Sequence, residues 1–171
     1  TAQITDMEDF ERIDTVSDYS KYVKVDNLHP SVSVINFADV APLRYYRRRM
    51  GVYAVFLKDV RCGDITYGCQ PYDYEDGTLV FVSPGQVYGI DSQGESIKPS
   101  GYALIFDTDL IADSSLAKSI KMYNFFSYEV KEALHLSPKE RLTIIDCLKK
   151  IAEEIEQNID QHSNRIIISN I

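Results

Sequence analysis

The sequence predicts an α+β fold in which an antiparallel β-barrel or sandwich is followed by α-helices. Short segments rich in β-branched and aromatic residues, separated by Gly, Pro and Asp, occupy the middle of the chain. Beyond Asp107 the apolar residues instead recur at three- and four-residue intervals, as in amphipathic helices. A chain of 171 residues, 44% of them hydrophobic, is long enough to bury the core of one domain.

Three segments follow from these patterns. Residues 1–40 are predicted to form an N-terminal arm with a short helix and one strand near residues 32–37. Residues 41–107 are predicted to form the barrel, because GVYAVFLKDV, DGTLVFVSPGQVYGI and SGYALIFD are strand-like runs bounded by turn residues. Residues 108–171 are predicted to be helical.

The strongest helix signal begins at Ser137. This residue suits the N-cap, Pro138 the first helical position, and Glu140 the third position of a capping box. The predicted helix runs to about Asp160, and a second helical pattern opens at Ser163. The apolar residues of the helix that begins at Pro138 recur on one face: Leu142, Ile145, Leu148, Ile151, Ala152, Ile155 and Ile159. Since the second pattern stops almost at once, we expect further chain beyond Ile171 in the natural protein.

The composition excludes several functional classes. A formal net charge of −8 repels a phosphate backbone, so these residues alone are poorly suited to bind nucleic acid. Three unevenly spaced cysteines outline no disulfide framework, and the acidic N-terminus lacks the pattern of a signal peptide. No apolar run reaches the roughly 20 residues that a membrane span needs. The sequence therefore predicts a cytoplasmic protein without membrane segments.

Neither metal chemistry nor catalysis is predicted. His29, His135 and His162 are isolated in sequence, and none lies among the predicted barrel strands, so no ligand set for a first-row metal is present. Ser83 has no suitably placed histidine, and Gly-x-Ser-x-Gly is absent. Cys62 and Cys69 likewise lack a nearby histidine in sequence. We expect no enzyme activity, no cofactor and no metal.

Two features are compatible with a small-molecule pocket. RYYRRR at residues 44–49 is a basic cluster in an acidic chain, either a solvated strand edge or a source of inward arginines that hold an anionic or hydroxylated ligand. Twelve tyrosines and seven phenylalanines either fill the core or combine apolar contact with a hydroxyl at a ligand. Strand position and chemistry select the predicted ligand contacts: Arg47, Arg49, Tyr53, Tyr67, Phe81 and Tyr88.

The order of three motifs resembles a known family. DGTLVFVSPGQV, GYALIFDTDLI and YNFFSYEVKEALHLSPKE, followed by a long amphipathic helix, are similar to the N-terminal regulatory domain of AraC/XylS-type transcriptional regulators. The resemblance extends from about Leu43 to Ile171. It implies a cupin-like jelly-roll barrel that binds an effector, and a C-terminal helix-turn-helix domain that lies outside these 171 residues and binds DNA. In metal-binding cupins a histidine ligand stands at the position of Tyr88.

The resemblance also implies a homodimer. By analogy with the family, the helix from Pro138 contributes the dimer seam, and the segment from Thr1 to about Val25 is able to fold over the barrel mouth. The seam residues are then Ile145, Leu148, Ala152, Ile155 and Ile159. The expected function is an effector-sensing and dimerisation domain of a transcription regulator. The alternatives are a cupin-fold isomerase or dioxygenase and a dimerisation domain without a ligand.

Overall fold

Strands come mostly before helices along the chain. A computed structural model describes residues 11–44, 48–58, 78–88, 96–97, 100–112, 114–120, 134–157 and 161–171. Its strands are β1 (Glu11–Ile13), β2 (Val32–Asn36), β3 (Leu43–Arg44), β4 (Arg48–Met50), β5 (Tyr53–Lys58), β6 (Thr78–Val82), β7 (Val87–Tyr88), β8 (Ser96–Ile97), β9 (Tyr102–Phe106) and β10 (Leu134–His135). Its helices are α1 (Val16–Val23), α2 (Thr108–Ile111), α3 (Ser115–Ile120), α4 (Pro138–Ile155) and α5 (Gln161–Asn170), with a 3-10 turn at Phe37–Asp39. The predicted α+β class is confirmed.

The largest sheet has five strands in the order β10-β6-β5-β9-β2, and every neighbouring pair is antiparallel. β5 lies at its centre, where Val55 is in register with Phe81 of β6 and Leu104 of β9. Successive side chains of a strand point to opposite faces. Both faces of the central strands are apolar, because each face is covered by another layer of the protein.

Two smaller sheets complete the β structure. One has the order β1-β4-β7, with β1 parallel and β7 antiparallel to β4, and the other pairs β3 with β8. Within the described ranges these sheets are not joined to the five-stranded sheet by strand pairing, so the predicted closed barrel is not found in this part of the chain.

One core lies on the inner face of the five-stranded sheet, which we define as the face of Ala54 and Phe56. This core is formed by β1, α1, the 3-10 turn, β4 and the inner residues of the sheet. It contains Ile13, Val16, Tyr19, Val23, Ile35, Phe37, Val40, Met50, Val52, Ala54, Phe56, Val80, Val82, Ala103 and Ile105. Burial of these apolar surfaces is the main stabilising contribution on this side.

The N-terminal segment belongs to the body of the domain from Glu11 onward. α1 begins at a capping box, in which the Thr15 hydroxyl accepts from the Asp18 N–H at 3.1 Å and the Asp18 carboxylate accepts from the Thr15 N–H at 3.0 Å. It ends at Val23, and the C-cap residue Lys24 has a left-handed φ of 59°. β2 pairs with β9 over all five of its residues. The predicted helix and strand are confirmed, but the described part of the predicted arm is packed into the core.

Gly51 allows β1 to lie close to the loop after β4. Its N–H donates to the Ile13 carbonyl at 2.7 Å, and a Cβ at this position would stand 3.1 Å from both the Ile13 oxygen and the Asp14 Cα. Such spacing leaves no room for a side chain without a shift of the backbone. The end of β1 at Ile13 is therefore anchored by both a buried side chain and a tight backbone contact.

The outer face of the five-stranded sheet carries the helices α2 to α5. Buried members of this second core are Val32, Leu104, Phe106, Ile111, Ile120, Leu148, Ile151, Ile155 and Ile167. α4 begins as predicted, with the Ser137 hydroxyl accepting from the Glu140 N–H at 3.2 Å and the Glu140 carboxylate accepting from the Ser137 N–H at 2.8 Å. It ends at Ile155, earlier than predicted. No helix in the described ranges has the length and apolarity needed to cross a membrane.

Candidate functional site

Of the two arginines in RYYRRR whose side chains the structure describes, Arg48 points inward. It shares a face of β4 with Met50, and both side chains are buried, whereas Arg49 is exposed on the other face. Alternation along a strand allows only one of two neighbouring residues to face the core. The predicted contact Arg49 therefore lies on the solvent side, and Arg47 lies outside the described residues.

The Arg48 guanidinium is surrounded by the N-terminal segment. Its side chain is 8% exposed, and Nη2 lies 3.2 Å from Oε2 of Glu11, whose side chain is 62% exposed. The guanidinium carbon sits 3.5 Å from the centroid of the Tyr22 ring, a cation–π contact. A charge taken out of water costs several kcal/mol unless it is paired, so these contacts offset a real desolvation penalty.

A row of aromatic rings connects Arg48 to the sheet. Tyr22 meets Tyr19 edge-on, with ring centroids 5.9 Å apart and planes at 76°. Tyr19 in turn lies 6.2 Å from Phe56 of β5. The candidate functional site is this arginine–aromatic cluster, which we define as Glu11, Tyr19, Tyr22, Arg48 and Phe56. It joins an ionic group near the surface to the centre of the five-stranded sheet.

Two predicted ligand contacts lie on the other side of that sheet. Tyr53 and Phe81 belong to the outer face, where they pack with the helical layer. The Tyr53 ring stacks on Phe106, with centroids 5.1 Å apart and planes 19° from parallel. They are thus separated by the sheet from Arg48, and a ligand role for them stays a prediction. The backbone of Tyr88, in β7, pairs with the backbone of Arg48, in β4. Tyr67 lies outside the described residues.

Three of the five predicted dimer residues lie on the face of α4 that packs within the chain. Leu148 and Ile155 belong to the outer-face core, and Ile145 packs with Leu57 and Leu79. Ala152 is half-buried, and Ile159 lies outside the described residues. Because the three larger side chains are buried against the sheet, their surface is already used by one chain. A role of α4 in a dimer stays a prediction.

The solvent face of α4 is mostly charged, and Leu142 is its one exposed large hydrophobic side chain. Leu142 is 64% exposed. One turn further on, Lys150 and Asp146 form an ion pair at 3.0 Å with i,i+4 spacing. The hydrogen bond from Lys150 to Asp146 raises the pKa of the lysine. An exposed pair of this kind contributes little to stability, so this face is the part of α4 that remains open to other molecules.

His29 connects the N-terminal segment to the last helix. Its buried ring accepts a hydrogen bond from the Ser31 N–H at Nδ1, at 3.0 Å, so the ring carries its proton on Nε2. Nε2 then donates to Oδ1 of Asn164 in α5, at 3.3 Å. This polar contact spans 135 positions of sequence and, together with the buried Ile167, fixes α5 to the outer face.

We expect the His29–Asn164 hydrogen bond to appear as a coupling of about 0.5–1.5 kcal/mol in a double-mutant cycle of urea denaturation. The variants are His29→Ala, Asn164→Ala and their combination. Loss of the acceptor for the Ser31 N–H occurs in both legs of the cycle and cancels. Asn170→Ala is the matched control, because this side chain bonds within α5 to the Ile166 carbonyl. Additive effects for His29 and Asn164 would contradict the contact.

The described residues include no group of three or more His, Cys, Asp or Glu side chains arranged to hold a metal ion. Cys147 is a half-buried free thiol on α4, and Cys62 and Cys69 lie outside the described residues. The chain matches no protein-family model, no curated protein and no solved structure.

Sequence reasoning missed Arg48, Tyr22, Glu11 and His29 as members of a site. A local signal for Arg48 exists, because Met50 and Val52 are apolar at alternate positions after it and mark the inward face. For Glu11 and Tyr22 no such signal is present. Their meeting with Arg48 depends on a parallel pairing between β1 and β4 that no local pattern specifies.

Proposed function

We propose that this chain is the effector-sensing and dimerisation domain of a cytoplasmic AraC/XylS-type transcription regulator. The motif order of the sequence supports the class, and strands followed by an amphipathic helix are compatible with it. In this proposal the described sheets are parts of a cupin-like jelly roll. DNA is bound by a further domain outside these residues, and the chain itself has no catalytic role.

The single observation that carries the proposal is that the two faces of one sheet pack against different parts of the chain. The inner face holds the arginine–aromatic cluster, and the outer face holds α4 and α5. β5 contributes to both, since Phe56 contacts the Tyr19 ring while Val55 packs under the helices. A displacement in the inner core is therefore able to reach the helical layer through one strand, β5.

The mechanism we propose is linkage between ligand and helix positions. A small molecule that binds one arrangement of the inner core more tightly stabilises that arrangement by its difference in affinity. Couplings of about 1–3 kcal/mol are typical between such sites. In the dimer, the solvent face of α4 with Leu142 is the part of that helix open to a second chain. The DNA-binding domains respond to the arrangement of the two chains.

Sedimentation equilibrium combined with thermal-shift screening tests the proposal. We expect a dimer at micromolar concentration and a ligand among sugars, organic acids and aromatic metabolites that stabilises it. At one hundred times its dissociation constant a ligand adds about 2.7 kcal/mol to the free energy of unfolding. A strictly monomeric chain at high micromolar concentration overturns the dimer. A dimer that no compound stabilises favours the dimerisation domain without a ligand.

A further inference from the structure

We infer that His29 is a proton-sensitive latch for α5. The folded arrangement accommodates the neutral imidazole and not the charged one, so acidification weakens the docking of α5 on the outer face of the sheet. The observation behind this inference is a buried titratable ring, 3% exposed, that joins a turn to the last helix through its two nitrogens. The inference goes beyond the proposed function and does not depend on it.

The contact at Nδ1 decides which form of the ring fits. Nδ1 accepts a hydrogen bond from the Ser31 N–H at 3.0 Å. A protonated imidazole carries a hydrogen on both nitrogens and has no acceptor left. A proton on His29 would therefore set the Nδ1–H group against the Ser31 N–H, and this partly buried backbone donor would lose its acceptor.

Burial opposes the charged ring as well. A charged imidazole at this position would have almost no contact with water, and loss of hydration is costly for an ion. The contact with Asn164 acts in the other direction, because its Oδ1 accepts more strongly from a charged ring than from a neutral one. One neutral amide oxygen does not replace both the hydration of the charge and the Ser31 hydrogen bond, so the neutral form is favoured.

The charged side chains around His29 do not compensate a positive ring. Within the described ranges, the polar contacts of His29 are its two hydrogen bonds, and neither partner is charged. The Ser31 carbonyl accepts from the Asp107 N–H, but the Asp107 carboxylate is used as the acceptor for the Leu110 N–H at 2.9 Å. The other described charged residues on its own segment, on α2 and on α5 are exposed: Lys24, Asp26, Asp109 and Arg165.

The contact at Nε2 connects this preference to α5. Nε2 donates to Asn164, and Ile167, one turn further along α5, is buried in the outer-face core. To relieve the contact with the Ser31 N–H, a protonated ring has to turn, and the turn carries Nε2 away from Asn164. A solvated histidine is half-protonated near pH 6.5. Since the undocked form binds the proton more tightly, docking is strongest above about pH 6.5 and weakens as the pH falls below it.

Amide hydrogen exchange at pH 7.5 and pH 5.0 tests the latch. After correction for the intrinsic exchange rates, we expect the protection of the Ile167 amide to fall about tenfold more in the wild type than in His29→Asn. Asparagine keeps an acceptor for the Ser31 N–H, as in an Asx-turn, but does not titrate. His29→Gln, which does not titrate either, replaces this variant if it fails to fold.

Two further substitutions isolate the effect of His29. Asp160→Asn and His162→Gln, introduced together into the wild type and into His29→Asn, remove the titratable side chains that lie nearest to Asn164 in sequence. The difference between the two proteins should persist in this background. Its disappearance would assign the pH dependence to those residues and overturn the latch.

Nuclear magnetic resonance of the imidazole nitrogens observes the ring itself. We expect His29 in the docked chain to keep its hydrogen on Nε2 and none on Nδ1 at pH 6.0, where a solvated histidine is mostly protonated. A protonated His29 in a chain whose α5 remains docked would overturn the inference. Equal losses of Ile167 protection in the wild type and in His29→Asn would overturn it independently.

Discussion

Leu148→Asp is expected to remove about 3–5 kcal/mol from the free energy of unfolding, or to prevent folding altogether. The side chain is 5% exposed and packs on the outer face of the five-stranded sheet. Loss of a buried leucine alone costs about 2–5 kcal/mol, and an unpaired carboxylate in that position adds a desolvation penalty. Urea denaturation followed by far-UV circular dichroism measures the change.

Leu142→Asp is the matched control on the same helix. Its side chain is 64% exposed, so the same substitution should change the free energy of unfolding by no more than about 0.5 kcal/mol. If the solvent face of α4 takes part in a dimer, this variant is a folded monomer in sedimentation equilibrium. A Leu148→Asp protein that is stable and merely monomeric would contradict the packing of α4 on its own sheet.

The contrast between these leucines shows where prediction of α4 succeeded and where it stopped. Capping residues and apolar spacing act locally, and they correctly predicted a helix beginning at Pro138 with an apolar face. The pattern does not specify which surface covers that face. The sequence was interpreted as a seam between two chains, while the structure places Ile145, Leu148 and Ile155 against the sheet of the same chain.

The basic segment RYYRRR shows a second limit of prediction, which is the choice of the residues in a strand that point inward. Arg49 was one of the predicted inward residues, but it lies on the solvent side of β4, and its neighbour Arg48 is buried. A shift of one residue exchanges all inward and outward side chains, because the period of a strand is two. Tyrosines and arginines occur at adjacent positions in RYYRRR, so the motif itself carries no alternation that fixes the parity.

For the central strands, a different reason prevents the sequence from predicting which face of the sheet each side chain lies on. β5 and β6 are covered on both sides, so their middle segments AVFL and LVFV are apolar throughout and alternation is not visible in them. The sequence therefore did not show that Tyr53 and Phe81 lie under the helices, and their ligand role stays a prediction. Contacts such as His29 with Asn164 depend on the whole fold, and no local pattern predicts them.

Phe106→Ala should be the most damaging of the large-to-small substitutions in the outer core. The ring is fully buried, stacks on Tyr53 at 5.1 Å, and lies in register with Val32 on the other side. Removing such a ring costs about 3–5 kcal/mol, a large part of the roughly 5–15 kcal/mol that stabilises a typical domain. The midpoint of urea denaturation should fall, with the slope of the transition unchanged.

Phe81→Ala makes the comparison quantitative, because it deletes the same atoms from a half-buried position on the same face of the sheet. We expect a loss of about 1–2 kcal/mol, in proportion to the smaller apolar area that this ring removes from water. The difference between the two variants measures how tightly the helical layer closes over β9. Equal losses in the free energy of unfolding would mean that the helices cover β6 and β9 to the same extent, and would contradict the tighter packing of Phe106 beneath α4 and α5.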